Sequence, residues 1–367
     1  MTNEYAIRLL ETEEEPELLR LMKDCFEPSL EKIFSIHPES TFIALQGDTP
    51  VAGINLDIFQ VNKTIRMGYI SWLYTQAEHR GKGLAGKLLS RAMEFLQEQG
   101  CTDVCACIEG DNPASFKQLV RQGFAILPGK GQLALFRFGI YKVYKHASRF
   151  FDMGYFLYHY SFFNNKRERP VQTPSKALGV TLLGNTLLWF ACLKGWNLLH
   201  LFGLKTNHSL WGMGKPDFAL SLLLVPALFL GIRTLAMELS AKVQKIEVEY
   251  RSWDTAWILA FLTSFLIGIP FPVPGNLYIK GNDWDLGQMQ PKLTMMARSS
   301  QLAIGIACLF FSHDFALRYI LPLLFLDSLF FFYPFCGFNA KRIHTGSLPA
   351  RTSSLALLLA VSLFVLL

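Results

Sequence analysis

Apolar positions in the first 145 residues follow two periods in alternation. Short runs with strand character occur at residues 6–10, 41–45, 51–58, 69–74, 103–108 and 132–141. Between them, apolar residues recur every three or four positions. Leu18, Leu19 and Met22 mark a helix over 13–25, and Leu88, Leu89, Met93 and Leu96 mark one over 86–96. A third helix is predicted over 113–122, and residues 47–50 read as a turn between paired strands. This order predicts a mixed α/β domain with an antiparallel start, closed by the strand at 132–141, rather than a doubly wound parallel sheet.

The pattern then changes. Residues 142–163 are aromatic and basic, and read as an amphipathic helix that either covers the sheet or lies on a bilayer surface. Residues 164–176 are polar, basic and broken by prolines, as in a domain linker. Apolar runs follow near 178–203, 217–237, 255–273, 299–312, 315–335 and 352–367. A full bilayer crossing takes about 20 apolar residues. The second and fifth runs meet that length, whereas the fourth and sixth are short. Lys166, Arg167, Arg169 and Lys176 ahead of the first run place its start on the cytoplasmic side. Six full crossings would put Lys341, Arg342 and Arg351 outside, against that rule, so one of runs three to five is expected not to cross.

Composition agrees with a two-part chain. It has 367 residues, 51% of them hydrophobic and only 17% charged. The expected division is residues 1–145, a linker over 146–176, and a membrane part over 177–367 with about 5–6 segments. The start lacks an apolar signal core, so no cleaved signal peptide is expected and the N-terminal part is expected in the cytoplasm. The seven cysteines have no paired spacing and read as reduced thiols rather than metal ligands. A net charge of +6 without an aromatic-basic platform argues against a nucleic-acid partner.

The strongest chemical signal lies between the strand at 69–74 and the helix at 86–96. Arg80, Gly81, Lys82, Gly83, Leu84, Ala85 and Gly86 form a glycine-rich turn into a helix. Such a turn gives a phosphate the unpartnered amides and positive dipole end of a helix N-terminus. A tight strand-to-helix connection would look the same. The pattern Arg-x-x-Gly-x-Ala, with Asn112 and a helix ending at Gly123-Phe124 further on, resembles the two signatures of the GNAT N-acetyltransferases. The resemblance covers roughly residues 5–145. It implies an α/β GNAT fold, a mixed, twisted central sheet flanked by helices, followed by an α-helical transmembrane domain.

It also implies acetyl-CoA as acyl donor, held by the loop and Asn112, with backbone groups of Leu73, Tyr74 and Thr75 facing the thioester. Proton handling is less complete. Where ribosomal-protein-type relatives carry a Glu five residues before the Asn, this chain has Cys107. Where they carry a Tyr seven residues after it, this chain has Leu119. Glu109 is the nearest carboxylate and the candidate catalytic base, acting through a water. It also reads as a solvated strand-end carboxylate. Glu78 and Tyr74 stand in reserve.

Residues 215–345 resemble the site-2-protease family of intramembrane zinc proteases, on Glu238 in its helix, the segment 271–279 and the segment 334–343. The family's metal-ligand positions hold Met237, Ala241 and Asn339, which do not make a zinc site. No metal and no proteolysis are expected, and Glu238 and Asp327 remain as ionisable residues in apolar surroundings. The reading is therefore an integral, multi-pass membrane protein with an acetyl-CoA-dependent N-acetyltransferase domain. Its acceptor is an amine on a protein, peptide or small molecule, and membrane lipid is a partner. The alternative is an acetyl-CoA-binding sensor or scaffold that does not turn over.

Overall fold

A computed structural model describes residues 5–163, 173–194, 217–267, 271–310 and 320–366. The chain divides into two compact units. The first comprises residues up to Ile108, Asn112–Arg149 and Phe156 onward through the last strand of the sheet. The second comprises Glu109–Asp111, Phe150–Tyr155 and the rest of the chain.

Strands β1 (Ala6–Leu9), β2 (Thr41–Gln46), β3 (Thr49–Gln60), β4 (Arg66–Thr75), β5 (Asp103–Glu109), β6 (Ala125–Ile126) and β7 (Tyr155–Ser161) form one sheet in the order β1-β2-β3-β4-β5-β7-β6. The pairs β1–β2, β2–β3, β3–β4 and β6–β7 are antiparallel, and β4–β5 is parallel. Helices α1 (Glu15–Cys25), α2 (Leu84–Glu98) and α3 (Pro113–Arg121) accompany the sheet, and this is the mixed architecture expected from the sequence. Leu18, Leu21 and Met22 of α1 pack with Ile43, Leu45 and Tyr74. Leu19, placed on that face by periodicity, is only half-buried, and Leu21 takes its place.

Two expectations fail in the segment after α3. Residues 132–141 are not a strand. They fall in α4 (Gly129–Phe136), a 3₁₀ turn, Arg137–Gly139, and α5 (Ile140–His146). The buried positions Gln132, Phe136, Val143 and Ala147 have helical spacing, which the exposed Leu133 and Phe138 hide from a pattern reading. Gln132 is a buried polar residue that pays its desolvation in hydrogen bonds: its Nε2 donates to the Leu127 carbonyl (2.7 Å) and its Oε1 accepts from Tyr144 (3.1 Å). Nor are residues 142–163 one amphipathic helix. The helix ends at His146, and β7 fills the place between β5 and β6. Phe156, Leu157, Tyr158 and His159 are buried on both faces of the sheet, so β7 reads as a continuous aromatic run without alternation. His159 is satisfied there by Asp103 (Nε2···Oδ1 2.9 Å).

The second unit holds α6 (Pro174–Lys194), α7 (Asp217–Val243), a β8–β9 ribbon (Val248–Arg251 and Asn276–Ile279), α8 (Trp257–Leu262), α9 (Leu286–Phe310), α10 (Leu321–Leu329), α11 (Asn339–His344) and α12 (Leu348–Leu366). Among the described residues, two stretches are helices long and apolar enough to cross a membrane, Leu224–Val243 and Leu286–Phe310. The second and fourth apolar runs thus lie on long helices. The third is a short helix passing into a π-turn, and the described part of the fifth is a helix that stops at Leu329. Residues 195–203 of the first run, 268–270 of the third, 311–312 of the fourth, 315–319 of the fifth and 367 of the sixth lie outside the described residues, as do 164–172 of the expected linker.

The interior of this unit contains a polar network. Arg233 of α7 and Asp327 of α10 are almost fully buried and meet in a two-pronged ion pair (3.0 and 3.1 Å). Arg233 also donates to the Gly275 carbonyl (3.1 Å), and Asn339 donates to Asp327 from its side chain (2.8 Å) and its backbone (3.2 Å). Asp327 was legible from the sequence, but its partner Arg233 was not singled out. Glu238 lies outside the network, half-exposed and paired with Lys242 one helical turn on (3.0 Å).

Removing one partner of a buried pair leaves an uncompensated charge, at a typical cost of ~3–5 kcal/mol. Asp327→Ala is therefore expected to lower unfolding stability by that amount in denaturant titrations followed by far-ultraviolet circular dichroism. The double variant Arg233→Met/Asp327→Leu is expected to recover most of it.

Candidate active site

Two local features of the first unit build the site. One is a ladder that stops early. Strand β4 pairs with β5 only over Met67–Ile70 and Asp103–Ala106. Past Ile70, β4 continues to Thr75 paired with β3 alone, through registers such as Leu73↔Ile54 and Thr75↔Ala52. Gln76 donates to the Val51 carbonyl of β3 (2.9 Å), so by strand alternation the backbone groups of Tyr74 also point to β3, and those of Leu73 and Thr75 line the edge that borders a wedge between β4 and β5. Backbone groups along such an edge need partners from outside the sheet.

The second feature is the turn after β4. Ala77–His79 make one 3₁₀ turn, and Arg80 Nε donates back to the Thr75 carbonyl (3.1 Å), which ties the loop to the strand end. Gly81 and Gly83 both have φ +77°, a conformation that L side chains rarely adopt. A Cβ at either would meet nothing within 4 Å, so backbone conformation, not crowding, calls for glycine, and the space above stays open. Gly83 is the N-cap of α2, and the Lys87 amide makes a helical bond to the Gly83 carbonyl (3.1 Å). The amides of Leu84, Ala85 and Gly86 precede it and have no helical acceptor. No acidic residue occupies the first turn to compete with an anion. Lys82 and Gly83 are exposed beside them.

Asn112 is the N-cap of α3, and its Oδ1 accepts from the Ser115 amide (3.2 Å). The helix closes on Gly123 (φ +91°) with bonds from Gly123 to Val120 (2.9 Å) and from Phe124 to Leu119 (3.0 Å). The Asn and Gly-Phe features thus set the ends of α3. Between α2 and α3 runs an open cleft of about 540 Å³, bordered by Gly83, Gly86, Lys87, Arg91, Gln118 and Arg121 among others. Gln122 Nε2 donates to Ser90 Oγ (3.0 Å), bridging the two helices. The sequence reading did not single out these cleft residues. Their signal was a polar stripe at helical spacing that begins at the loop.

The proton-handling candidates are dispersed. Glu109 ends β5, beyond the paired stretch, and Lys341 Nζ donates to its carboxylate (2.9 Å) within the second unit. The neighbouring Asp111 is held by Arg342 through two bonds (2.7 and 3.1 Å). Glu78 is exposed in the loop. The Tyr74 side chain turns into the core, where its hydroxyl donates to Asn55 (3.0 Å) and burial pushes the phenol well above its usual range. Its backbone groups point to β3, so of the three residues expected to face the thioester, Leu73 and Thr75 border the wedge and Tyr74 does not. Cys107 is the first β5 residue past the ladder, and its sulfur accepts from the buried Arg149 (3.2 Å). Leu119 is core. Among the described residues no three His, Cys, Asp or Glu side chains cluster as a metal site would require.

A mixed sheet whose fourth and fifth strands part, with a glycine-capped helix at the open end, is an arrangement that can receive an anion at the helix N-terminus. Residues 4–124 match the model of the Acetyltransferase (GNAT) family, so this part of the chain is a GNAT acetyltransferase domain, an enzyme domain with acetyl-CoA as donor. Similar proteins include N-alpha-acetyltransferase 30 of Schizosaccharomyces pombe, 29% identical over 108 residues, which covers 28% of this chain and 72% of that protein. N-alpha-acetyltransferase MAK3 of Arabidopsis thaliana is 31% identical over 87 residues, 24% of this chain and 45% of that protein. The human N-alpha-acetyltransferase 30 is 29% identical over 114 residues and is covered to 32% of its length. Solved structures with similarity include the NatC complex bound to Gag peptide and CoA, at 20% identity over 43% of this chain and 99% of that chain, with a TM-score of 0.33.

The loop assignment has a direct test. Gly83→Ala is expected to cost about 1–2 kcal/mol of stability through its left-handed backbone. Gly83→Glu, which adds a carboxylate at the anion site, is expected to weaken acetyl-CoA binding by more than about tenfold in calorimetric titration. Unchanged affinity in the glutamate variant would remove the loop from the cofactor site.

Proposed function

We propose that this chain is a membrane-tethered, acetyl-CoA-dependent N-acetyltransferase that acts on an amine at the cytosolic face, with a protein or peptide N-terminus as the favoured acceptor. The observation that carries the transferase reading is the left-handed Gly81/Gly83 loop capping α2 beside the splayed end of β4. In this reading the amides of Leu84–Gly86 hold the pyrophosphate, the cleft bordered by Lys87 and Arg121 receives the nucleotide end, and the outward backbone of Leu73 and Thr75 faces the acyl group. Acetyl-CoA supplies an already activated thioester, so the protein's task is mainly to position the amine and take its proton. Glu109 at the open end of β5 is the proton acceptor we assign, through a water, with Lys341 fixing its carboxylate. The acceptor class follows from the similar proteins named as N-alpha-acetyltransferases; a lysine or a small amine is the other possibility within the class.

Membrane tethering is supported by the outward faces of the second unit. Val180, Leu183, Leu187 and Phe190 on α6, Leu235 and Leu239 on α7, Leu302, Ile306 and Leu309 on α9, and Leu355, Leu359 and Leu363 on α12 are all exposed. Apolar surface of that extent calls for a lipid or protein cover. The basic residues before α6 favour a cytoplasmic start. The likeness to a metal-free intramembrane protease is supported by Met237 and Asn339, which stand at two of the family's ligand positions and lie together here (Sδ···Nδ2 3.5 Å). With sulfur and amide in place of histidine and aspartate, the unit serves to bind or anchor, and not to cleave.

A second reading, an acetyl-CoA sensor without turnover, is favoured by Cys107 and Leu119 at the two proton-handling positions. The deciding measurement is CoA release by the purified full chain over a panel of N-terminal peptides, N-acetyl-blocked lysine peptides and small amines. Release with free α-amines is expected, and Glu109→Gln is expected to lower kcat by about 10²–10⁴-fold while acetyl-CoA affinity holds. Binding without release for any acceptor would establish the sensor. The cleft assignment is checked separately: Arg121→Glu is expected to raise the Kd for CoA by about tenfold or more, with a smaller effect on dephospho-CoA.

A further inference from the structure

The helical pair α4–α5 covers the sheet with one face and leaves a second face outward. The inward face carries Phe136, Val143 and Ala147, packed on Phe59, Met67 and Leu157. The outward face is made of residues 130, 133 and 134 on α4, 137 and 138 in the turn, and 141, 142 and 145 on α5. Its centre is apolar: Leu133 is 60% exposed, Phe138 100% and Tyr141 63%. Its flanks are basic, with Lys130, Arg137, Lys142 and Lys145 all exposed.

Three further observations give this face a direction. Residues 112–151 contain no Asp or Glu and seven Lys or Arg, so the basic flanks have no carboxylate within their own segment. The carboxylate that reaches the pair from β3, Asp57, is bonded to His146 (2.6 Å). The turn between the helices is also held. Arg137 adopts φ +50° and ψ −131°, a strained conformation for a side-chain-bearing residue. Gly139 fits so tightly on Val61 that a Cβ would lie 2.6 Å from its side chain and 2.7 Å from its carbonyl, and Lys142 donates to the Gln60 carbonyl (3.0 Å). The backbone is thus fixed on the β3–β4 hairpin in a form that presents the Phe138 ring wholly to the outside.

We propose that this face docks the transferase unit on an anionic phospholipid surface, with Leu133, Phe138 and Tyr141 entering the headgroup–acyl boundary and the basic flanks meeting lipid phosphates and carboxylates. Apolar side chains between cationic flanks match that boundary in both polarity and charge. A nucleic acid fits less well, because Leu133 and Ala134 at the centre offer no stacking face. The placement also orients the enzyme. The Gly139 anchor sits at the β3–β4 hairpin, at the start of β4, whereas the cofactor loop follows its end. Ten residues of strand separate them by about 30 Å. Docking therefore leaves the acyl site clear of the lipid contact. The inference rests on the membrane-tethering reading for its supply of bilayer.

The test uses the full chain reconstituted in phosphatidylcholine bilayers with and without phosphatidylserine. An environment-sensitive fluorophore is placed at Phe138→Cys and, for reference, at the exposed Glu98→Cys on α2, with labelling of the unmutated chain subtracted. Headgroup-nitroxide lipids are expected to quench the label at 138 several-fold more than at 98, and only with phosphatidylserine present. In the background Lys130→Gln/Arg137→Gln/Lys145→Gln, the ratio of docked to undocked protein is expected to fall on the order of a hundredfold. Quenching at 138 no greater than at 98 would overturn the proposal. So would a shielded label that responds to neither phosphatidylserine nor the lipid quencher, which would mean a protein cover. Extraction with alkaline carbonate reports on tethering by the second unit and does not depend on the docking face. If carbonate releases the unmutated chain, the tethering reading fails, while the lipid quenching at 138 still decides the docking.

Discussion

The transferase site depends on a parallel ladder that ends after four residue pairs. Had β4 and β5 stayed paired to their ends, the outward backbone groups of Leu73 and Thr75 would be spent inside the sheet. The early stop opens a wedge whose walls are main chain, and main-chain donors need no particular side chain. The glycine turn then follows closely on the end of β4, so on the proposed reading one strand supplies both the acyl-facing edge and the start of the phosphate cradle. The Arg80 bond to the Thr75 carbonyl fixes the distance between the two. Positioning of this kind contributes to acyl transfer before any acid or base is considered.

The second unit is organised around the opposite device, a set of buried polar side chains that bond one another. Arg233, Asp327 and Asn339 satisfy each other and the Gly275 carbonyl in an interior otherwise filled by residues such as Phe229, Leu230 and Leu324. A buried pair is weak evidence for stability as such, since a packed apolar pair can match it. Its effect here is to set register: α7, α10, the start of α11 and the segment before β9 can meet in one arrangement without stranding a charge.

Legibility followed how local the determinants were. The loop, α2 and α3 were readable because glycines, caps and apolar period act over a few residues, and the structure puts each in the expected kind of element. The strand at β7 was not readable. Its residues are buried on both faces, so the alternation that marks a half-exposed strand is missing, and its aromatics resemble an interfacial helix. Residues 132–141 misled for the converse reason, since the exposed Leu133 and Phe138 broke the helical period that Gln132, Phe136 and Val143 follow. Arg233 escaped because a single arginine in an apolar helix gains meaning only from Asp327, 94 residues away. The cleft residues Lys87, Ser90 and Arg121 needed α2 and α3 brought side by side before they formed one surface.

Weak proton handling bears on the choice of acceptor. A lysine side chain titrates near 10.4 and an α-amine near 7.7–8.0, so at neutral pH the unprotonated α-amine is roughly 250-fold more abundant. An enzyme for lysine must supply that difference with a well-placed base. Here Cys107 and Leu119 occupy the two places where such groups are expected, Tyr74 is turned into the core, and Glu109 is shared with Lys341. On the proposed reading, what the site keeps is the means to hold an activated thioester and bring an amine to it. That division suits an acceptor that arrives partly deprotonated, and among protein amines the N-terminal one does so at physiological pH.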